Sequence, residues 1–176
     1  MRTPSAADRA RFEEAFEDHH RRVLAYALRR TAGEGDAEDV VAETFAIAWR
    51  RKDALPTTDR ALPWLLAVAR RVAANQRRGT TRWRALLERV RSQPQRGAIA
   101  PVPETPATDV LLRLRPDDQE LLRLLAWDGL THAEVGVVLG ISPNAVAIRL
   151  LRARRRFSAQ LAAIEADDLK GSGASR

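Results

Sequence analysis

Few side chains in this sequence are suited to bond chemistry. It contains no cysteine, which excludes a thiolate nucleophile, a thiolate zinc site, an iron–sulfur cluster and a disulfide scaffold. Its three histidines are His19, His20 and His132. Glu17-Asp18-His19-His20 holds the Glu-x-x-His spacing that sets a carboxylate and an imidazole on one helix face, as in di-iron bundles. Such a centre needs a second pair and two more carboxylates, and His132 stands alone, so surface or packing roles are expected for His19 and His20. No Gly-rich phosphate loop, Gly-x-Ser-x-Gly elbow or paired-acid constellation is present. The chain therefore reads as a non-enzyme with no metal or cofactor, and its chemistry is that of binding.

The charges say what is bound. There are 30 basic and 23 acidic residues for a net +7, and every basic residue except Lys52 and Lys170 is an arginine. Asp109–Ala147 carries three Arg against six acids, whereas Arg149-Leu-Leu-Arg152-Ala-Arg154-Arg155-Arg156 then adds five positives and no acid. A small domain polarised in this way suits a polyanion on one side. The same run also fits a solvated helix face.

Residues 131–157 supply the context. Thr131-His132-Ala133-Glu134 has the hydroxyl and carboxylate of a capping box. Gly136 is small where two helices must approach closely, and Gly140 falls where a turn needs a left-handed residue. Ile141 plugs that turn, and Ser142-Pro143 is an N-cap followed by a first-turn proline. Val135 and Leu139 face inward, as do Val146, Leu150, Ala153 and Phe157. This is a helix-turn-helix pattern, whose second helix enters the major groove of DNA. Asn144, Ala147, Ile148, Leu151, Arg152 and Arg155 are left outside. Ile148 and Leu151 fit thymine methyls or a second packed helix equally well.

The remaining elements read as helix. Phe12, Phe16, Val23 and Ala27, with Leu24, recur at helical spacing up to a breaker at Gly33-Glu34-Gly35. Asp36 is the expected N-cap of the next helix, with Val41, Phe45, Ala48 and Trp49 as its apolar face up to Arg50. Pro56–Asp59 reads as loop. Pro63 opens a third helix, with Trp64, Leu65, Val68 and Val72 inward, expected to run to Arg78 and stop at Gly79. Trp83, Leu86, Leu87 and Val90 predict a further helix over 81–91. Prolines 94, 101, 103 and 106 exclude regular structure and mark an extended linker. No apolar run approaches the ~18–20 residues of a membrane span. Met1-Arg2-Thr3-Pro4-Ser5 leads into charged residues without an apolar core, so no secretion or membrane insertion is expected and the protein is placed in the cytoplasm.

Two blocks resemble one family. Asp36-Ala-Glu-Asp-Val-Val-Ala-Glu-Thr-Phe-Ala-Ile-Ala-Trp-Arg50 with Pro63-Trp64-Leu65-Leu66-Ala67-Val68-Ala69-Arg70 resembles region 2 of bacterial sigma factors. Residues 116–157, through Trp127-Asp128-Gly129-Leu130-Thr131-His132-Ala133-Glu134 and Ser142-Pro143-Asn144-Ala145-Val146, resemble region 4. Regions 2 and 4 alone, on a Pro-rich tether, are the arrangement of the extracytoplasmic-function (ECF) group of the sigma-70 family. The resemblance implies an all-α fold of two small helical domains. Its expected parts are a disordered N-terminus over 1–10, region 2 over 11–79, a linker over 80–107, region 4 over 108–164 and a disordered tail over 165–176. A short tail leaves no room for a large C-terminal sensor.

The resemblance also implies partners and roles. These are core RNA polymerase, promoter DNA and, as for many members, an anti-sigma protein. The helix bearing Asp36, Asp39, Val40, Glu43 and Ile47 would dock on a basic element of the polymerase clamp, since an acidic face in a basic protein needs a positive partner. Asp39 also complements its own helix dipole. Thr57, Thr58, Asp59 and Arg60 would receive flipped bases of the melted −10 element. Trp64 would line the upstream fork, although a core position serves it as well, and Arg70, Arg71, Arg77 and Arg78 would follow the DNA backbone. Asn144, Ala147, Ile148, Arg149, Leu151, Arg152, Arg155 and Arg156 would meet the −35 element. Arg71 stands where many members carry Asn, and Ala147 and Ile148 stand where members usually carry Lys or Arg and Ser or Arg. The rival reading from the residues is a stand-alone helix-turn-helix regulator that acts without polymerase.

Overall fold

The computed structural model describes residues 5–88 and 105–173, all of whose regular structure is helical. The chain divides into two compact units, residues 1–100 and 101–176. The Pro-rich tether falls largely on residues 89–104, outside the described residues.

The first unit packs α1 (Ala6–Leu28), α2 (Glu34–Arg50) and α3 (Ala61–Glu88) each against the other two. Short 3-10 turns at Lys52–Ala54 and Thr58–Arg60 join α2 to α3. Its core is Val23, Tyr26 and Ala27 of α1, Ala37, Val40, Phe45 and Ala48 of α2, and Leu65, Leu66, Ala69 and Val72 of α3. Burying so many aliphatic side chains is what holds these helices, since each large one contributes roughly 1.5–3 kcal/mol.

Three boundaries differ from expectation. α1 begins at Ala6 and not after residue 10, because Ser5 and Asp8 form a reciprocal capping box at 3.1 and 2.9 Å. It ends at Leu28, where the Thr31 hydroxyl donates to Ala27 O at 3.0 Å, so α2 starts early with Gly33 as its N-cap. Asp36 therefore sits inside the first turn, where its carboxylate still favours the helix dipole. α3 runs through Gly79 to Glu88 with no stop at Arg78. Gly79 keeps a negative φ, and one glycine costs only about 1 kcal/mol against Ala, too little to end a long helix.

The second unit places α4 (Pro106–Arg113), α5 (Pro116–Ala126) and α6 (His132–Leu139) against a long α7 (Pro143–Gly173). Pro106 and Pro116 each occupy a first turn, where the missing N–H costs nothing. Gln119 Nε2 donates to the Leu112 and Leu114 carbonyls at 3.1 and 2.9 Å, closing the end of α4 onto α5. Val110, Leu121, Leu124, Val135, Val146, Leu150 and Ala153 form the core. Helix α7 continues to Gly173, so the backbone of 165–173 is helical where a disordered tail is expected from the sequence. Residues 161–170 hold no glycine or proline to stop it before Gly171.

Candidate nucleic-acid interface

The α6–α7 turn is built as its residues dictate. Thr131 Oγ1 accepts from Glu134 N at 3.3 Å and Glu134 Oε2 accepts from Thr131 N at 2.7 Å, completing the capping box. Gly140 takes φ 69°, and Ile141 N donates back to Gly136 O at 3.0 Å. Ser142 Oγ accepts from Ala145 N at 3.2 Å and starts α7. The chain bends by 97° between α6 and α7, in the range of a helix-turn-helix. A Cβ on Gly136 would lie 2.7 Å from Ile141 O, so the close approach there requires glycine.

Val146, Leu150 and Ala153 are buried as expected, with Phe157 half-buried. Asn144, Ile148, Arg149, Leu151, Arg152, Arg155 and Arg156 are exposed and Ala147 is half-buried. They do not share one surface. Helical rotation puts Asn144, Ile148, Leu151 and Arg155 on an outer ridge. Arg149, Arg152 and Arg156 turn instead toward α5, lining a cleft of about 480 Å³ with Arg115, Asp117 and Asp118. Within it Arg156 Nη1 donates to Asp118 Oδ2 at 2.6 Å. Arg156 is thus committed to a carboxylate of its own unit, which departs from the role in DNA contact expected for it. Asp118 is absent from the sequence-derived site, because its partner lies 38 residues away and leaves no local signal; Arg115 joins it only as a lining residue of the cleft. A second, more apolar groove of about 470 Å³ runs between α4, α5 and α7, walled by Leu111, Leu122, Trp127 and Phe157.

In the first unit, Thr57, Asp59 and Arg60 are exposed just ahead of α3, and Thr58 opens the second 3-10 turn. Trp64 is half-buried at the margin of the core. Arg71 and Arg78 follow it at seven-residue intervals, on one stripe of α3 with ~10.5 Å between successive side chains. Arg78 is hydrogen-bonded to Asn75. Arg70 and Arg77 lie on the adjoining stripe, Arg70 half-buried and Arg77 exposed.

On α2, Asp36, Asp39 and Glu43 are exposed on one face, with Ile47 half-buried at its edge. Glu43 Oε1 accepts from Arg50 Nη2 at 2.6 Å. Val40 does not belong to this face, contrary to its expected role in polymerase docking: it is fully buried. The inward stripe is Ala37, Val40, Thr44 and Ala48, because α2 is covered by α1 and α3 together and its apolar arc is wider than the sequence pattern suggests. Val41 and Trp49 end at the margins of that arc, where Trp49 meets Phe12 edge-on at 5.1 Å between centroids. His20 stacks on Phe16 at 5.1 Å, and its Nδ1 lies 3.0 Å from Phe16 O. Among the described residues no group of three or more potential metal ligands is brought together, and no single helix is long and apolar enough to cross a membrane.

Residues 15–84 match the family model for Sigma-70 region 2, and residues 106–157 that for Sigma-70, region 4. The ECF RNA polymerase sigma factor SigL of Mycobacterium tuberculosis is 33% identical over 159 residues, 83% of this chain and 86% of SigL. RNA polymerase sigma factor NccH of Alcaligenes xylosoxydans xylosoxydans is 31% identical over 157 residues, 81% of this chain and 82% of NccH. Among solved structures, CnrH in complex with the cytosolic domain of CnrY covers 86% of this chain and 88% of that one at 27% identity, with a TM-score of 0.61. RpoE of Bartonella quintana, in complex with the anti-sigma factor NepR, shares the fold at TM-score 0.63 and 22% identity over 85% of this chain and 96% of that one. An acidic-faced three-helix unit followed by a helix-turn-helix unit, matched region by region and over four fifths of its length, places this chain in the sigma-70 family as an ECF sigma factor.

Proposed function

We propose that this protein is the dissociable promoter-recognition subunit of RNA polymerase, acting in the cytoplasm by binding alone. The observation that carries the reading is the exposed carboxylate face of α2, Asp36, Asp39 and Glu43, in a chain that also carries a complete helix-turn-helix. A protein of net +7 that only binds DNA has no use for such a face. A basic element of core polymerase complements it.

Thr57, Thr58, Asp59 and Arg60 receive unpaired bases of the −10 element, Trp64 closes the upstream fork, and Arg70, Arg71, Arg77 and Arg78 neutralise the backbone. Asn144, Ala147, Ile148, Leu151 and Arg155 face the −35 major groove, while Arg149 and Arg152 meet its phosphates. Binding the open form of the −10 element shifts the duplex–bubble equilibrium with no covalent step. Each unit alone makes few contacts, so affinity arises from holding both on one polymerase. CnrH was solved with a protein partner, the cytosolic domain of CnrY, and RpoE with the anti-sigma factor NepR, which supports an anti-sigma protein as the regulatory partner.

A pull-down with core RNA polymerase tests the docking. The wild-type protein is retained, and Asp39→Arg/Glu43→Arg lowers retention at least tenfold without altering the thermal midpoint. Polymerase-dependent run-off from promoter DNA is the second readout. A strong palindromic footprint obtained without polymerase, together with no retention on core enzyme, overturns the reading in favour of a stand-alone regulator.

A further inference from the structure

The outer ridge of α7 holds little hydrogen-bonding capacity where a base-reading helix usually holds most. From Pro143 to Leu151, about 12 Å of helix, Asn144 is its one amide, and the other ridge side chains are Ile148 and Leu151. Both aliphatics are open, Ile148 at 45% and Leu151 at 54% exposure, although the unit buries most of its other large aliphatics. The arginines of the same turns leave the ridge: Arg149 and Arg152 face the cleft beside α5, and Arg156 is bonded to Asp118. Arg155 joins the ridge only beyond Leu151.

This arrangement states what fits it. An apolar ridge flanked by Arg149, Arg152 and Arg155, none of which makes an ion pair among the described residues, suits a polyanion that itself presents apolar groups. In a DNA major groove that apolar group is the thymine C5 methyl, and the amide partner of Asn144 is adenine N6/N7. Ile148 and Leu151 are separated by ~4.5 Å along the helix, a little more than one base-pair step. We infer that Ile148 and Leu151 are specificity-determining residues that read the C5 methyls of neighbouring thymines, so that the upstream promoter element of this protein is an A/T-rich step. The inference rests on the proposed function and names the bases that function leaves open.

The test uses holoenzyme reconstituted from the full chain and core RNA polymerase. Duplexes are selected from a promoter library randomised across the upstream element, and the winners are resynthesised with deoxyuridine in place of each thymidine, which removes one methyl and nothing else. The expected result is thymine enrichment at two neighbouring positions. Deoxyuridine at either should weaken binding about fourfold. Ile148→Ala should abolish the sensitivity at one position and keep it at the other, with Leu151→Ala doing the reverse. The retained sensitivity in each variant shows that α7 remains folded and docked. Selection of G/C steps, indifference to deoxyuridine, or equal sensitivity in wild type and both variants overturns the inference while run-off transcription stands. Failure to select any upstream sequence or to drive run-off overturns the inference and the promoter-recognition reading together.

Discussion

Asp118, in the first turn of α5, holds Arg156 of α7 at 2.6 Å across 38 positions of sequence. The carboxylate is buried and the guanidinium half-exposed, so the pair ties the recognition helix to α5 and fixes how it is rolled. This gives Arg156 a structural duty that Arg152, one turn earlier, lacks. Arg152→Ala should therefore reduce the salt dependence of upstream duplex binding by ~0.9 in log–log slope, the signature of one lost phosphate. Arg156→Ala should leave that slope intact and lower the thermal midpoint instead. Binding titrations over a salt series, with a thermal melt of each variant, check both. A slope change for Arg156→Ala equal to that for Arg152→Ala would return Arg156 to the DNA.

Two glycines should answer the same substitution with opposite signs. A Cβ on Gly136 would stand 2.7 Å from the Ile141 carbonyl, a backbone atom that moves only with the whole turn. Gly79, mid-helix, has no heavy atom within 4 Å of the Cβ position. Gly79→Ala should stabilise by about 0.5–1 kcal/mol through helix propensity. Gly136→Ala gains the same propensity, but overpacking of about 1–3 kcal/mol opposes it and displaces α7. Urea midpoints measure both signs, and loss of upstream-element selection by Gly136→Ala reports the displaced helix.

What the sequence discloses follows the range of the forces involved. The α6–α7 turn is legible because a cap, a left-handed glycine and an N-cap-plus-proline are each settled within four residues: Thr131 with Glu134, Gly140, Ser142 with Pro143. The start of α2 is less so. Asp36 has the better capping side chain, but Thr31 closes α1 early and the chain turns within 31–33, giving the cap to Gly33. The placing of Val40 on the docking face, implied by the resemblance and not by periodicity, fails because α1 and α3 together cover that side of α2. The Asp118–Arg156 tie is invisible to any local pattern. Of the site residues, the outward set on α7 emerges from periodicity alone, whereas its division into an outer ridge and an α5-facing cleft needs the neighbouring helix.

Thr44 is a polar residue at a core position. It is fully buried on α2, and its hydroxyl has no hydrogen-bond partner. A desolvated hydroxyl without a partner costs about 1–3 kcal/mol, and an apolar group of the same shape removes that cost. Thr44→Val should therefore stabilise the first unit by about 1 kcal/mol and raise its thermal midpoint by ~4–8 °C. Retention on core polymerase should not change, because Thr44 lies beneath the acidic face and not on it. A lowered midpoint would show that the hydroxyl is bonded in solution.

His19 should leave a small mark on the pH dependence of stability. Its pKa lies below the ordinary 6.5, chiefly because burial disfavours the imidazolium; Asp18 pulls it up and Arg22 pushes it down. The folded chain therefore binds fewer protons than the unfolded chain between the two pKa values, and stability rises with pH across that window. The contribution is complete above 6.5, is lost as pH falls from there through the folded value, and is constant below it. His19→Gln removes the titration, so the stability difference between wild type and variant should change from about pH 8 to about pH 5, in the direction of a wild type weakened at the acid end. Urea midpoints of the two proteins at several pH values measure this. Parallel curves, or a wild type strengthened by acid, would show that the ring is as free to protonate in the folded chain as in the unfolded one.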